Sequence, residues 1–252
     1  MSGPFGQTVL EQLRQRLRRA RRVAVLTGAG VSAESGIPTF RDAQTGLWAK
    51  FDPMTLASPE GFRNDPGLVW GWYQWRRQLV AEAKPNAGHL ALARLESQIE
   101  DFVVITQNVD GLHQLAGSSH VLELHGNIRR SICSETRKPI DDDWLAEQTG
   151  QPPPSPHHPQ GLARPDVVWF GEMLDEAVLN AAFRAAAECD LMIVAGTAGA
   201  VQPAASLPLV ARESGAKIVD INIEAGEIGK IADWSLRGQS GHWLPELVNC
   251  LT

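Results

Sequence analysis

Val23-Ala-Val-Leu-Thr27, followed at once by Gly28-Ala-Gly30, is a strand-length run without a charge that ends on two glycines. A continuous apolar run of this length fits a strand covered on both faces, as in a parallel sheet. Four more runs share its character: Phe102-Val-Val-Ile-Thr106, Val121-Leu-Glu-Leu124, Leu191-Met-Ile-Val-Ala195 and Ile218-Val-Asp-Ile-Asn222. Helical patterns lie between them. Residues 86–99 carry Leu90, Leu92 and Leu95, with Asn86 placed to cap the first turn. Residues 175–189 are rich in alanine and favour a helix, and residues 203–214 are a further candidate. Alternating strands and helices predict an α/β fold, a doubly wound parallel sheet of the Rossmann-like type.

Two segments interrupt the alternation. Residues 42–85 hold four of the eight tryptophans and the one tyrosine. Residues 129–163 are polar, contain Asp141-Asp-Asp143, and run into Gln151-Pro-Pro-Pro-Ser-Pro-His-His-Pro159, which is excluded from a helix interior or a central strand. The expectation is one unit over residues 1–252. Its Rossmann-like part comprises 1–41, 86–128 and 164–252, and the insertions 42–85 and 129–163 build a smaller domain. Ligands would occupy the cleft between them.

Bulk properties narrow the class. At 252 residues, 43% hydrophobic and 21% charged, the chain can bury a core of useful size. A net charge of -6 argues against a dedicated nucleic-acid surface, and the basic run from Arg14 to Arg22 reads as a solvated helix face leading into the first strand. Cys133, Cys189 and Cys250 are too few and too scattered for a disulfide framework. The first twenty residues lack the apolar core of a signal peptide, and no run reaches membrane-spanning length. A reducing, cytoplasmic setting is expected.

Gly28-Ala-Gly30 alone fits an ordinary tight turn as well as a loop close to a pyrophosphate, and Ala33 stands where a full dinucleotide fingerprint wants a third glycine. The longer string Gly28-Ala-Gly-Val-Ser-Ala-Glu-Ser-Gly-Ile-Pro-Thr-Phe-Arg41 says more. So do Thr106-Gln-Asn-Val-Asp-Gly-Leu-His113, Glu123-Leu-His-Gly126, Val167-Val-Trp-Phe-Gly-Glu172, Gly196-Thr197 and Asn222-Ile-Glu224, which follow in order. Together they resemble the signatures of the sirtuins, NAD-consuming protein-lysine deacylases, over residues 20–248.

The resemblance implies roles for particular residues. NAD, consumed as a co-substrate, would be held by Gly28, Ala29, Gly30, Ser32, Ile37, Thr39, Phe40, Arg41 and Trp48. Gln107, Asn108, Val109 and Asp110 would join them, with Gly196, Thr197, Ala198, Asn222, Glu224 and Ser240. His125 is implied as the catalytic base, suited to it by a pKa near neutrality, with Asn108 beside it. Val168, Trp169, Phe170, Gly171 and Glu172 would bind an acyl-lysine protein as an added strand, with Trp169 and Phe170 walling the acyl tunnel. Tyr73 and Arg76, three apart on one helix face, match the pair with which one subgroup, class III, grips acyl groups ending in a carboxylate. Ordinary packing of an aromatic helix is the alternative for that pair. Turn-making and capping are the alternative for residues 107–110.

The chain departs from the family pattern in two places. Sirtuins carry a structural zinc on two cysteine pairs, and the matching positions here are Cys133, Thr136, Ser155 and His158. With one thiol left, and His157 as a further candidate, no metal is expected in this degenerate zinc-ribbon-like module. Ala198 replaces a more usual serine, removing one hydroxyl. The reaction implied is transfer of an acetyl, succinyl or malonyl group from lysine to ADP-ribose, with release of nicotinamide. A mono-ADP-ribosyltransferase using the same site, or an NAD-sensing module without catalysis, are the other readings. No membrane and no nucleic-acid partner is expected.

Overall fold

The computed structural model describes residues 4–38 and 52–249. Nine strands occur among them: β1 (Arg22–Thr27), β2 (Asp101–Thr106), β3 (Val121–Glu123), β4 (Gly126–Cys133), β5 (Pro139–Ile140), β6 (Ala163–Val167), β7 (Leu191–Ala195), β8 (Lys217–Asn222) and β9 (Trp234–Arg237). Six of these form a parallel sheet in the order β3-β2-β1-β7-β8-β9. The expected doubly wound order is thus present, and the strand sequence reverses between β1 and β7. In such sheets ligands bind in the crevice beyond the carboxyl ends of the strands at that reversal.

The uncharged runs are explained by two cores. Val23 and Val25 of β1 face one, built with the helices Pro4–Arg19, Ala87–Glu96 and Ser240–Val248. Ala24 and Leu26 face the other, with the helices Glu176–Glu188 and Leu207–Glu213. Both sides of the strand are dry, so no polar alternation survives. Asn86 caps the helix Ala87–Glu96 as expected, its side chain accepting from Gly88 N–H, while His89 Nδ1 accepts from Asn86 N–H. Leu90, placed on the apolar face by sequence, is instead half exposed, because Ala91, Leu92 and Leu95 fill the core-facing stripe. The arginines of the first helix are not all solvated either. Arg14 reaches Glu246, and Arg16 donates to the Asp190 carbonyl. Residues 203–214 begin as a short 3-10 turn, Ala204–Ser206, before the helix Leu207–Glu213.

The two interruptions become the smaller elements. Between residues 52 and 85 lie the helices Pro53–Leu56, Pro59–Asn64 and Pro66–Glu82. Ser58 and Asp65 cap the second and third, with proline in each first turn. Strands β5-β4-β6 make a three-stranded antiparallel sheet. Its central strand β4 and its outer strand β6 run through positions 128–129 and 163–164, where the sequence suggested boundaries. Arg77 joins the two elements, donating to the carbonyls of Ile128 and Arg130 and to the Ser131 hydroxyl. Arg129 bridges the Asp110 carbonyl and the Val80 carbonyl. The helix carrying Tyr73 and Arg76 is thereby fixed against the loop after β2.

Candidate active site

Three loops meet at the reversal point: one after β1, one after β2 and one after β7. Gly28 N–H donates to the Ala195 carbonyl at 3.1 Å, and Gly30 N–H donates to the Gly196 carbonyl at 2.8 Å. A Cβ on Gly28 would lie 2.6 Å from Thr197 Cβ, and one on Gly30 would lie 2.8 Å from Gly196 Cα. Loop-on-loop contact therefore demands both glycines, independently of any ligand. Gly196 adds a positive φ of 62°, a conformation that side chains disfavour.

Under these loops lies a buried polar network. Asn108 Nδ2 donates to the Gly28 carbonyl at 3.1 Å and to Ser32 Oγ at 3.0 Å. Ser32 donates its one proton to Asp110 Oδ2 at 2.7 Å, and Leu112 N–H donates to Asp110 Oδ1 at 2.8 Å. These partners orient the Asn108 amide: its nitrogen faces the two acceptors. Thr27 Oγ1 donates to Thr106 Oγ1 at 2.8 Å and lies 2.9 Å from His113 Nε2. His113 and His89 stack at 4.8 Å between centroids. Burial and the neighbouring His89 push the His113 pKa down to about 3; burial lowers that of His89, opposed by Asp110. Both rings are neutral supports at ordinary pH.

His125 follows β3 at the edge of this network. Its Nδ1 lies 3.0 Å from the Gln107 carbonyl oxygen, which can only accept. Nδ1 therefore holds the proton of the neutral ring, and Nε2 keeps its lone pair. Burial lowers the His125 pKa, and the Gln107 carbonyl raises it in part. Gln107 also donates from Nε2 to Thr197 Oγ1 at 2.9 Å, and Asn222 Nδ2 holds the Thr197 carbonyl at 2.8 Å. Ala198 and Glu224 are exposed beyond β7 and β8, while Ser240 is buried in the first turn of the last helix. Ile37 and Val109 pack against the helical element. Thr39, Phe40, Arg41 and Trp48 lie outside the described residues.

Tyr73 and Arg76 lie on the helix Pro66–Glu82. Tyr73 is 1% exposed, and its hydroxyl accepts from Trp169 Nε1 at 2.9 Å. Burial raises the Tyr73 pKa, against the opposing charge of Arg76. The half-buried Arg76 guanidinium sits 4.9 Å from the Trp72 ring and 5.7 Å from the Tyr73 ring. It makes no ion pair among the described residues. Burial lowers its pKa, while Tyr73 and Asp110 oppose the shift. Opposite, Val168 N–H donates to the His125 carbonyl and Phe170 N–H to the Ala57 carbonyl. Trp169 is buried, whereas Phe170 is exposed and Gly171 turns the chain at φ 85°.

One participant is absent from the sequence reading. Arg164, 4% exposed, donates to both Glu172 oxygens at 2.7 and 2.9 Å and stacks 3.4 Å over the Trp169 ring. Burial opposes ionisation of Glu172, but the bonds from Arg164 outweigh it and hold the carboxylate charged. The available signal was a lone arginine opening an apolar segment eight residues before a glutamate.

At the degenerate zinc positions, the buried Cys133 sulfur meets the hydroxyls of Ser155 and Thr136. Burial raises the thiol pKa, yet these hydroxyls and the Thr136 and Glu135 backbone bring it below its usual value. His157 Nε2 turns away to the Pro139 carbonyl at 2.7 Å. His158 Nδ1 accepts from Gln160 N–H at 3.2 Å. One thiol and two hydroxyls do not make the thiolate-rich set that structural zinc prefers.

Comparison with known proteins agrees with this geometry. The family model described as "Sir2 family" matches residues 28–203. An Aeropyrum pernix protein named NAD-dependent protein deacylase is 51% identical over 221 residues, covering 88% of this chain and 89% of its own length. NAD-dependent protein deacylase 1 of Pseudomonas aeruginosa is 48% identical over 237 residues, covering 92% and 95%. A solved Sir2 homolog–NAD complex superposes with a TM-score of 0.89 at 44% identity, covering 96% of this chain and 93% of its own. Sir2 bound to acetylated peptide gives 0.85 at 30%, covering 95% and 97%. The chain is a member of the Sir2 family.

Proposed function

We propose that this protein removes acyl groups from protein lysines, consuming NAD and one water and releasing nicotinamide, free lysine and O-acyl-ADP-ribose. The observation that carries the reading is His125: anchored at Nδ1 by the carbonyl of Gln107 in the loop after β2, it keeps a proton-accepting Nε2 beside the loops that meet at the sheet's reversal point. Its family relatives are named for this activity.

The cleft suits NAD. Gly28, Gly30 and Gly196 let the loops after β1 and β7 close on each other without side chains, the Asn108 amide is held by the two acceptors on its nitrogen, and Glu224 is exposed beyond β8 to accept ribose hydroxyls. Bound there, NAD supplies an activated ribose carbon and a leaving nicotinamide. Ser32, Asp110 and Asn108 orient the nicotinamide end, and Thr197, Ala198, Asn222 and Ser240 border the adenosine end. His125 Nε2 takes the proton of a ribose hydroxyl, which lets that oxygen receive the acyl group. The segment from Val168 to Glu172 aligns an extended acyl-lysine peptide, and Trp169 and Phe170 wall the acyl group.

The acyl choice extends to acidic groups. Arg76 and Tyr73 offer donors at the pocket bottom, and a succinyl or malonyl carboxylate supplies the missing acceptor. The module around Cys133 works without zinc, held by the hydroxyl contacts of Ser155 and Thr136.

The test is incubation of NAD with acetyl-, malonyl- and succinyl-lysine peptides. Release of free lysine matched by nicotinamide supports the reading. A peptide that gains ADP-ribose points to the transferase instead.

A further inference from the structure

The hydrogen bond between Trp169 and Tyr73 has a direction fixed by chemistry. An indole Nε1–H only donates, so the Tyr73 oxygen accepts at 2.9 Å. A phenol has one proton, and no acceptor for it occurs among the described residues. Arg76, one helical turn on, adds a cation without an ion-pair partner among them. Tyr73 and Arg76 therefore present donors that lack an acceptor among the described residues.

The indole cannot easily turn. The Arg164 guanidinium lies 3.4 Å from its ring centroid, and Phe62 packs at 5.2 Å. Trp169 N–H donates to Glu172 Oε2 at 2.8 Å, and the same carboxylate is clamped by both Arg164 terminal nitrogens. Arg164 also holds the Val167 carbonyl at 2.9 Å. Ring face and backbone are thus pinned together.

We propose that Trp169 is a positioning residue for acyl choice: its indole N–H occupies the Tyr73 oxygen and aims the Tyr73 hydroxyl proton at the acidic end of the acyl group. The proposal rests on the acidic-acyl reading above. A carboxylate accepts that proton and an acetyl methyl does not, so the device acts on one substrate class. Donation into the phenol oxygen also polarises its O–H and strengthens it as a donor. Without the indole N–H, the phenol is free to rotate and turn a lone pair toward the carboxylate.

The experiment replaces Trp169 by benzothienylalanine, which puts sulfur where the N–H was and keeps the shape. Trp169→Phe serves as a second variant. Each is made with Tyr73 and with Tyr73→Phe, and kcat/KM is measured on succinyl- and acetyl-lysine peptides. The expected result is a fall in the succinyl-to-acetyl ratio of about 2- to 10-fold with Tyr73 present, the worth of one hydrogen bond. The ratio should not change further in the Tyr73→Phe background. An unchanged ratio, equal losses on both peptides, or the same fall in both backgrounds overturns the proposal. Arg76→Met separates the two levels. If it loses both activities equally, or the wild type ignores succinyl-lysine, the acidic-acyl reading falls and this proposal with it. If Arg76→Met is selective while the indole replacement is not, this proposal alone falls.

Discussion

Replacing Arg76 by methionine keeps the length of the side chain and removes its charge. The guanidinium is half buried, flanked by the Trp72 and Tyr73 rings at 4.9 and 5.7 Å, and has no ion pair among the described residues. Burial lowers its pKa, so the folded chain bears a penalty for the charge throughout the range where arginine is protonated. A bound acyl carboxylate would offset that penalty. Truncating one partner of a buried charge pair costs about 2–5 kcal/mol. Half burial favours the lower part, about 2–3 kcal/mol, or roughly 30- to 150-fold in kcat/KM for succinyl-lysine. Acetyl-lysine has no charge to lose and should change by less than about threefold, within a typical neutral contact. Stability should move little. Two cation–π contacts of about 0.5–1 kcal/mol each are lost, while the desolvation penalty is relieved. A net change within about 1 kcal/mol corresponds to a Tm shift of about 2–4 °C at this size. Steady-state kinetics on both peptides and a thermal melt make the assay. Equal kinetic losses, or a much larger fall in Tm, would show that Arg76 only holds its helix in place.

Four further outcomes are expected. His125→Ala should keep NAD binding by calorimetry and lose about 10²- to 10⁴-fold in turnover; more than a tenth of wild-type turnover would remove His125 from the role. Because its folded pKa is lowered, His125 stays neutral to lower pH, so the acid limb of kcat/KM should have a midpoint below about 6.5. A midpoint above that value contradicts the assignment. His113 is held neutral with a pKa of about 3, so the unfolded chain binds the extra proton as pH falls below about 6.5. This site should cost about 1.4 kcal/mol of stability per pH unit between there and its folded pKa. His113→Gln should flatten the urea-midpoint profile over that window, and an unaltered slope would assign the acid loss elsewhere. Elemental analysis of purified protein should find well under one zinc per chain, with no Tm change on adding a chelator; stoichiometric zinc would mean Cys133 recruits unforeseen ligands.

The parallel sheet was legible because strands buried on both faces lose their polar alternation, as in Val23–Thr27. The strings proposed to line the cleft could be read because stretches such as Thr106–His113 are local, and in the described residues the loops after β1, β2 and β7 touch one another. The reasons behind some residues were not legible. Gly28 and Gly30 suggested room for a phosphate, but their Cβ positions are filled by Gly196 and Thr197, more than 160 residues away in sequence. Arg164 went unread in the sequence, since its burial depends on Glu172 and the Trp169 ring closing over it. Leu90 fitted the helical stripe but is exposed, because a helix flanking a sheet needs fewer apolar positions than periodicity offers. The Tyr73–Trp169 bond joins residues 96 apart, and no pattern within either segment announces it.

The most direct test follows the acyl group. With NAD and an acyl-lysine peptide labelled in its acyl carbonyl, mass spectrometry should find the label on ADP-ribose, in amounts matching the nicotinamide and free lysine released. His125→Ala should abolish that product. Label appearing as the free acid from the start, or unlabelled ADP-ribose attached to the peptide, would contradict the account.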